Sequence, residues 1–186
     1  KAGLYRMVDT CLFDVEFVQK LVAGIENIDA SVSGLLINSD NFQGLSLLQE
    51  KYRERVNCIY IDPPYNTDAS AIIYKNGYKD SSWLSLLQTR LDLAKRLMQE
   101  DALISVAIDD QEASPLVQVL DSTFEKQVGV AVVKSNPQSR KTKGKFSPVH
   151  EYAFFYGKSE KSLPYTIGYS ASKAARYPLE DEQGRY

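Results

Sequence analysis

The sequence predicts an α/β domain built on a mostly parallel sheet that carries an antiparallel hairpin at one edge. Short apolar runs alternate with amphipathic stretches of roughly ten or more residues, which is typical of β-α-β units. The composition is that of an ordinary globular chain, with 44% hydrophobic and 25% charged residues among 186. The last two apolar runs are separated only by a polar stretch, so those two strands are predicted to pair antiparallel.

The first third of the chain predicts a helix, a short strand and a second helix. Apolar residues at helical spacing over 11–23 predict a helix that ends near Gly24. The apolar run 35–37 predicts a short buried strand. Residues 39–41 offer side chains that cap helices, and helical spacing continues over 42–52, so a second helix is predicted there.

The middle of the chain predicts a strand, a loop and a long helix. The apolar run 56–61 predicts a buried strand, with Cys58 as a buried thiol. The strand must stop at the two prolines that follow, because consecutive prolines cannot continue a central strand. Residues 66–80 are polar and predict a loop, after which the serines at 81–82 cap a helix. The predicted inner face of this helix consists of Trp83, Leu84, Leu87, Leu91, Ala94 and Leu97.

Two more strands and a helix complete the predicted sheet. Residues 102–108 predict a third strand that ends at an acidic pair, and residues 112–122 predict the next helix. The runs 128–133 and 152–156 predict the fourth and fifth strands, which form the antiparallel edge hairpin.

Composition and charge exclude several classes of protein. The formal net charge of −2 gives no support for a small basic nucleic-acid-binding module. The chain has no apolar run of roughly 18 residues that would span a membrane, and no signal-peptide pattern. Cys11 and Cys58 are unclustered, which favours a reducing, cytoplasmic compartment, and the single histidine, His150, argues against a histidine-based metal site. The chain does not begin with Met, so we expect a processed piece or an excerpt.

The most informative motif is Asp62-Pro63-Pro64-Tyr65, directly after a predicted strand, because ligands bind at the carboxyl ends of strands in open α/β sheets. The motif suits a reaction at the exocyclic amine of adenine, a weak nucleophile whose lone pair is delocalised. The Asp62 carboxylate and the Pro63 carbonyl can accept its two N–H groups, and the carboxylate can stabilise the developing positive charge. Tyr65 offers a face on which a flipped base can stack. A plain turn is the alternative.

Several other residues have both a functional and a structural interpretation, and the sequence leaves both open. Asp40 either caps a helix or lies near a cofactor. Asp109 and Asp110 either belong to the site or cap the next helix. His150 and Tyr152 either border a base pocket or pack at the sheet edge.

A basic segment over 134–145 contains no acidic residue and either grips DNA phosphates or forms a solvated loop. Tyr74 and Tyr78 are candidates for lining DNA or covering a cofactor. The basic residues of the segment are Lys134, Arg140, Lys141, Lys143 and Lys145.

These motifs, in this order, resemble those of the β-class amino-methyltransferases of DNA, and among them the modification subunits of type III restriction systems. The resemblance runs along about residues 35–186, with Ser39 and Asp68 at turn positions where the family usually has glycine. The segments that carry it are 36–42, 59–68, 83–97, 103–112, 150–158 and 180–186.

The resemblance implies a Rossmann-like, S-adenosylmethionine-dependent methyltransferase fold and site-specific methylation of adenine N6 in DNA. It implies catalytic roles for Asp62, Pro63, Pro64 and Tyr65, with Asp40 and Asp62 near the cofactor. The family's Phe-x-Gly-x-Gly loop follows the recognition region, and the ten glycines of this chain form no Gly-x-Gly. We therefore expect an incomplete fold, with most of the S-adenosylmethionine site outside this chain and this piece alone inactive.

The same resemblance implies a domain organisation and a set of partners. We predict an N-terminal helical lead-in over 1–30, the catalytic part of the methyltransferase domain over 31–158, and the start of the target-recognition region over 159–186. Double-stranded DNA is the expected partner, with a homodimer and a restriction subunit as further possibilities, in the cytoplasm of a bacterium or in a phage system. The residues expected to bind DNA are Arg140, Lys141, Lys143 and Lys145.

Two rival functions remain open at this point, and a third is excluded. Cytosine-N4 methylation would suit a serine in place of Asp62. A protein-glutamine methyltransferase more often has asparagine there, with its glycine loop upstream, and this sequence has neither feature. A truncated, non-catalytic copy kept for dimerisation or for docking a restriction subunit is the alternative outside the enzymes.

Overall fold

The protein is described by a computed structural model that covers residues 9–66, 80–135, 149–165, 180–181 and 184–185. The chain divides into two compact units, residues 1–38 and residues 39–186. Among the described helices, none combines the length and the apolar composition that crossing a bilayer requires.

The described part of the first unit contains three short helical segments: a 3-10 turn (Thr10–Leu12), α1 (Val15–Ala23) and α2 (Ile28–Ser31). The helix predicted over 11–23 is therefore interrupted, because Asp14 starts a new helix by accepting the N–H of Phe17 at 2.7 Å. No residue in the described part of this unit is buried.

The second unit contains a mixed four-stranded sheet with the order β1-β2-β4-β3. The pair β1-β2 is parallel, whereas β2-β4 and β4-β3 are antiparallel. The antiparallel edge hairpin is confirmed, but the described sheet is mixed rather than mostly parallel. The elements of this unit are α3 (Asn41–Tyr52), β1 (Val56–Ile61), α4 (Asp80–Leu97), β2 (Met98–Ile108), α5 (Ala113–Thr123), β3 (Lys126–Lys134), β4 (His150–Gly157), β5 (Glu180–Asp181) and β6 (Gly184–Arg185).

The hydrophobic core lies between one face of the sheet and the helices α4 and α5. The predicted inner face of α4 is confirmed, with Trp83 fully buried and Leu84 partly buried. Alternate residues of β2 point into the same core, as the two-residue period of a strand requires. The core residues with at most 1% exposure are Trp83, Leu91, Met98, Ile104, Val106, Ile108, Leu116, Leu120 and Tyr156.

The prediction that residues 56–61 form a buried strand with a buried Cys58 is wrong. The strand exists as β1, but it lies at the edge of the sheet that the described residues form, and its burial pattern alternates. Cys58 is exposed, and Tyr60 on the same face keeps 67% of its surface exposed. The reason is that the described helices cover only the face of β1 that carries Ile59 and Ile61.

The predicted strand over 35–37 is also wrong, since these residues form no regular structure and Leu36 is 96% exposed. Apolar residues form a strand only where a neighbouring strand takes their backbone hydrogen bonds, and no described residue pairs with this run. The serines at 81–82 lie inside α4 rather than capping it, because the helix already begins at Asp80.

Candidate active site at the carboxyl ends of the parallel strands

Asp62 is the first residue after β1 and is exposed at the carboxyl end of the strand. Because Ile61 pairs in parallel with Val106, the carboxyl ends of β1 and β2 lie side by side. Asp62 and Asp109 therefore lie at the same edge of the sheet, as their positions after two strands predict. The next residue, Pro63, is buried, so the chain turns inward directly after the exposed carboxylate.

The loop that follows Asp62 is held by side chains from two helices. The Trp83 indole N–H of α4 donates to the Pro64 carbonyl at 2.8 Å. The Asn66 side-chain amide donates to the Glu112 carboxyl at 2.8 Å, and both residues are buried. Asn66 has a left-handed backbone with φ of 58°, a conformation that asparagine tolerates better than most residues.

Tyr65 lies between these two attachments with its ring half-buried against the core. Its hydroxyl donates to Glu151 at 3.4 Å, at the start of β4. Burial and the negative charges of Asp62 and Glu151 raise the pKa of Tyr65 well above its usual range. The raised pKa means that the phenol keeps its proton as a hydrogen-bond donor even at alkaline pH.

A second acidic group follows β2. Asp109 accepts the N–H of Gln111 at 3.0 Å, and burial raises the pKa of Asp109, with the charges of Asp110 and Glu151 adding to the effect. His150 lies 3.2 Å from Asp110. These contacts place the carboxylates of β2 and β4 close to one another, so this edge of the sheet is acidic.

His150 and Tyr152 form part of the same cluster. The His150 Nε2 atom lies 3.1 Å from the Tyr152 hydroxyl, and the two rings meet edge to face at 5.1 Å. A hydrogen bond to Asp110 raises the pKa of Tyr152. Both residues thus pack at the sheet edge beside the site. This position is compatible with edge packing and with bordering a base pocket.

Asp40 has the capping geometry that the sequence offered as one alternative. Its side chain accepts the N–H of Phe42 at 3.0 Å and begins α3. Arg90 of α4 lies 3.9 Å from the Asp40 carboxylate and donates to the Asn41 side chain at 2.9 Å. Asp40 therefore joins two helices, and its exposed carboxylate leaves room for a further contact.

The arrangement has three chemical capacities. The exposed Asp62 carboxylate and the adjacent Pro63 carbonyl offer two hydrogen-bond acceptors for an amino group. The Pro63 carbonyl accepts no hydrogen bond from the described residues. A half-buried aromatic ring follows at once. The surrounding carboxylates favour a reactant that is positively charged, or a reacting group that becomes positively charged during the reaction.

A family model described as DNA methylase, covering enzymes that act on N6 or N4 amino groups, matches residues 56–186, which is more than half of the chain. The chain belongs to this N6/N4 DNA methylase family. Its matched part contains β1, the loop that follows and the rest of the described sheet.

The curated relatives of the chain are longer than the chain itself. It is similar to the EcoPI Mod subunit of a type III restriction-modification enzyme of Escherichia phage P1, with 30% identity over 158 residues, 68% of this chain and 24% of the relative. It is similar to the type II methyltransferase M.KpnI of Klebsiella pneumoniae, with 30% identity over 159 residues, 80% of this chain and 38% of the relative. The chain thus spans less than half the length of either relative.

The fold is similar to that of TTHA0409 from Thermus thermophilus, a protein named as a DNA modification methylase and solved in complex with S-adenosyl-L-methionine. The TM-score is 0.50 at 12% identity, covering 69% of this chain and 54% of that chain. At this identity the likeness concerns the fold alone, and it confirms the α/β methyltransferase-like class predicted from the sequence.

The structure joins Tyr65 of the Asp62-Pro63-Pro64-Tyr65 motif to Glu151, whose charge also helps to raise the pKa of Asp109. Sequence reasoning missed Glu151 and Glu112 as members of the site, although both are acidic residues at the ends of predicted elements. An acidic residue at the end of a predicted strand or helix is the sequence feature that could have identified both. Some sequence-based candidates lie outside the described residues: Tyr74, Tyr78, Arg140, Lys141, Lys143 and Lys145.

Proposed function

We propose that this DNA methylase is the catalytic part of a site-specific DNA adenine-N6 methyltransferase that uses S-adenosylmethionine. The observation that carries the proposal is the Asp62-Pro63-Pro64-Tyr65 motif at the carboxyl end of β1, beside an acidic strand edge. Aspartate at the first position supports adenine over cytosine, for which a serine is expected.

In this proposal Asp62 and Pro63 hold the target amine. The Asp62 carboxylate accepts one N–H and the Pro63 carbonyl accepts the other, so the nitrogen is turned toward a tetrahedral geometry. As the nitrogen becomes cationic, the carboxylate stabilises the charge, which is an interaction made mainly in the transition state. The rigid proline pair gives both acceptors a defined position, and the buried Pro63 supports this.

Tyr65 provides the stacking surface for the flipped adenine. The half-buried ring and the hydroxyl contact to Glu151 support this role, because a ring held at both ends presents a defined face. An extrahelical base needs such a surface to replace the stacking that it loses in the duplex.

The carboxylates of the described site fit S-adenosylmethionine. Its sulfonium and amino groups are positively charged, and the carboxylates at this edge complement them. Bound there, the cofactor would supply the methyl group. We propose that Asp40 and Asp62 contact it, and that the glycine loop that completes its site lies outside this chain, so that the isolated 186 residues transfer no methyl group.

The DNA partner is proposed to be double-stranded, with phosphates bound by Arg140, Lys141, Lys143 and Lys145. A homodimer and a restriction subunit are further proposed partners, in the cytoplasm of a bacterium or in a phage system. The similarity to a Mod subunit of a type III restriction-modification enzyme supports these proposals.

A second candidate is cytosine-N4 methylation, which is favoured by one observation: the matching family includes enzymes that act on N4. A non-catalytic module remains the rival outside the enzymes. The identity of the methylated nucleoside distinguishes cytosine-N4 methylation from the proposal. The presence of any methylated nucleoside distinguishes the proposal from a non-catalytic module.

The deciding experiment uses the full-length protein that carries this sequence, with DNA and S-adenosylmethionine. We expect N6-methyladenine when the DNA is hydrolysed and its nucleosides are identified by mass spectrometry. Asp62→Ala should slow single-turnover transfer on the order of a hundredfold or more while the Kd for DNA changes little. Asp92→Ala, which removes an exposed carboxylate on α4, is the matched control and should keep the wild-type rate.

Two outcomes would contradict the proposal. N4-methylcytosine as the product would favour the cytosine alternative. A full-length protein that binds both DNA and cofactor yet yields no methylated nucleoside would favour the non-catalytic module.

A further inference from the structure

The loop formed by residues 63–66 is attached to the body of the protein on both sides of Tyr65. Before Tyr65, the Pro64 carbonyl accepts the Trp83 indole N–H at 2.8 Å. After Tyr65, the Asn66 amide donates to Glu112 at 2.8 Å. The two partners lie 19 and 46 residues away along the chain, so these are tertiary attachments and not turn hydrogen bonds.

The Asn66–Glu112 attachment is buried on both sides, whereas the Trp83–Pro64 attachment is part-buried because Pro64 is only half-buried. Trp83 is 0% exposed, Glu112 is 3% exposed and Asn66 is 7% exposed. When one partner of a buried hydrogen bond is removed, the other is left unsatisfied, because water cannot replace it. The buried Asn66–Glu112 attachment therefore strongly favours the loop conformation in which it is satisfied, and the part-buried Trp83–Pro64 attachment favours the same conformation.

Ordinary helix capping does not account for Glu112. It is the N-cap residue of α5, but its side chain makes no capping hydrogen bond to the helix. Its carboxyl oxygen instead binds the amide of a loop residue with a left-handed backbone. Burial of a carboxyl group is costly, and in the described structure its side-chain hydrogen bond goes to the loop after Tyr65.

We infer that Trp83 and Glu112 are positioning residues that set the reactive geometry of Asp62 and Tyr65. In this inference both act through the loop residues whose hydrogen-bonding groups they satisfy, Pro64 and Asn66. The inference rests on the proposed function, because it concerns how the loop of residues 63–66 affects the rate of methyl transfer. Small displacements of such a loop are costly, since a misplacement of about 1 Å can slow a reaction on the order of a hundredfold.

The test compares four variants in the full-length protein by single-turnover methyl transfer and by the Kd for DNA. Trp83→Phe keeps a buried ring and loses the N–H donor. Glu112→Leu keeps a side chain of similar size and loses the acceptor. Each should slow transfer by about tenfold to a hundredfold, with the Kd for DNA within about threefold of wild type. Glu112→Gln keeps an oxygen acceptor and should restore most of the rate lost in Glu112→Leu.

Tyr156→Phe is the matched control. It removes the 2.7 Å hydrogen bond from a fully buried phenol to Asp121 while keeping the ring, and it lies away from the loop on β4. It should lower the urea midpoint of unfolding and leave the transfer rate unchanged. A purely structural role for Trp83 and Glu112 would make their variants behave like this control.

Wild-type rates in both Trp83→Phe and Glu112→Leu would overturn the inference, and so would a Glu112→Gln variant as slow as Glu112→Leu. Asp62→Ala is measured alongside to separate the two levels of argument. If Asp62→Ala is inactive while the positioning variants are fully active, only the inference fails. If Asp62→Ala is active, the proposed function fails and the inference with it.

Discussion

Tyr65 combines an aromatic surface and a hydroxyl group whose roles can be separated. The ring packs partly against the core, and the hydroxyl donates to Glu151 at 3.4 Å. This distance is long for a strong hydrogen bond, so the hydroxyl contributes less to the position of the ring than the loop attachments do.

Substitution at Tyr65 tests whether the ring carries the function. Tyr65→Phe should keep much of the methyl-transfer activity, because the stacking surface remains. Tyr65→Ala should lose it, since stacking of a base on an aromatic side chain is worth roughly 1–3 kcal/mol. The fluorescence of 2-aminopurine at the target position should report a less stably extrahelical base in Tyr65→Ala. A Tyr65→Phe variant as inactive as Tyr65→Ala would instead make the hydroxyl the essential group.

At the scale of elements, the start of α3 depends on Asp40, which caps the helix and is also proposed to contact the cofactor. Asp40 caps the helix, and Arg90 links it to α4 through Asp40 and Asn41. Arg90 also lies over the Phe42 ring at 5.6 Å, so three contacts join the start of α3 to one arginine. The first turn of α3 is therefore held by capping and by tertiary contacts together.

Two substitutions separate capping from cofactor binding at Asp40. Asp40→Ala should lower the free energy of unfolding by about 1 kcal/mol, because the N–H of Phe42 loses its acceptor. Asp40→Asn keeps an acceptor and should leave stability nearly unchanged, as urea denaturation would measure. If Asp40 also contacts the cofactor, Asp40→Asn should weaken S-adenosylmethionine binding in the full-length protein. Unchanged affinity would leave Asp40 with the capping role alone.

At the scale of the whole molecule, charge is distributed unevenly. The net charge of −2 hides an acidic strand edge around Asp62 and a basic segment over 134–145. The proposed DNA binding therefore requires a local basic surface, because the overall negative charge of the chain would repel the phosphate backbone.

The basic segment makes this idea measurable. Replacing Arg140, Lys141, Lys143 and Lys145 together by alanine in the full-length protein should weaken binding to all DNA sequences alike. The slope of log K against log salt should become shallower by about one for each phosphate that the variant no longer binds. An unchanged slope would assign the segment to solvation, and weakening confined to one DNA sequence would indicate binding to bases.

Local features could be predicted from the sequence wherever neighbours in the chain decide them. The spacing of Trp83, Leu87 and Leu91 is sufficient to define the buried face of α4, and all three are in the core. The two prolines after Asp62 are sufficient to end β1, because they cannot continue a strand. The position of the motif at a strand end therefore follows from the residue order alone.

Only the tertiary structure decided which apolar strand residues are buried and which polar side chains meet. Cys58 and Leu36 belong to apolar runs, yet both are exposed, because burial depends on neighbours that a local pattern does not specify. Glu151 reaches Tyr65 because β4 inserts antiparallel between β2 and β3. Glu112 reaches Asn66 because α5 begins beside the loop, across a separation of 46 residues for which the sequence has no periodic signal.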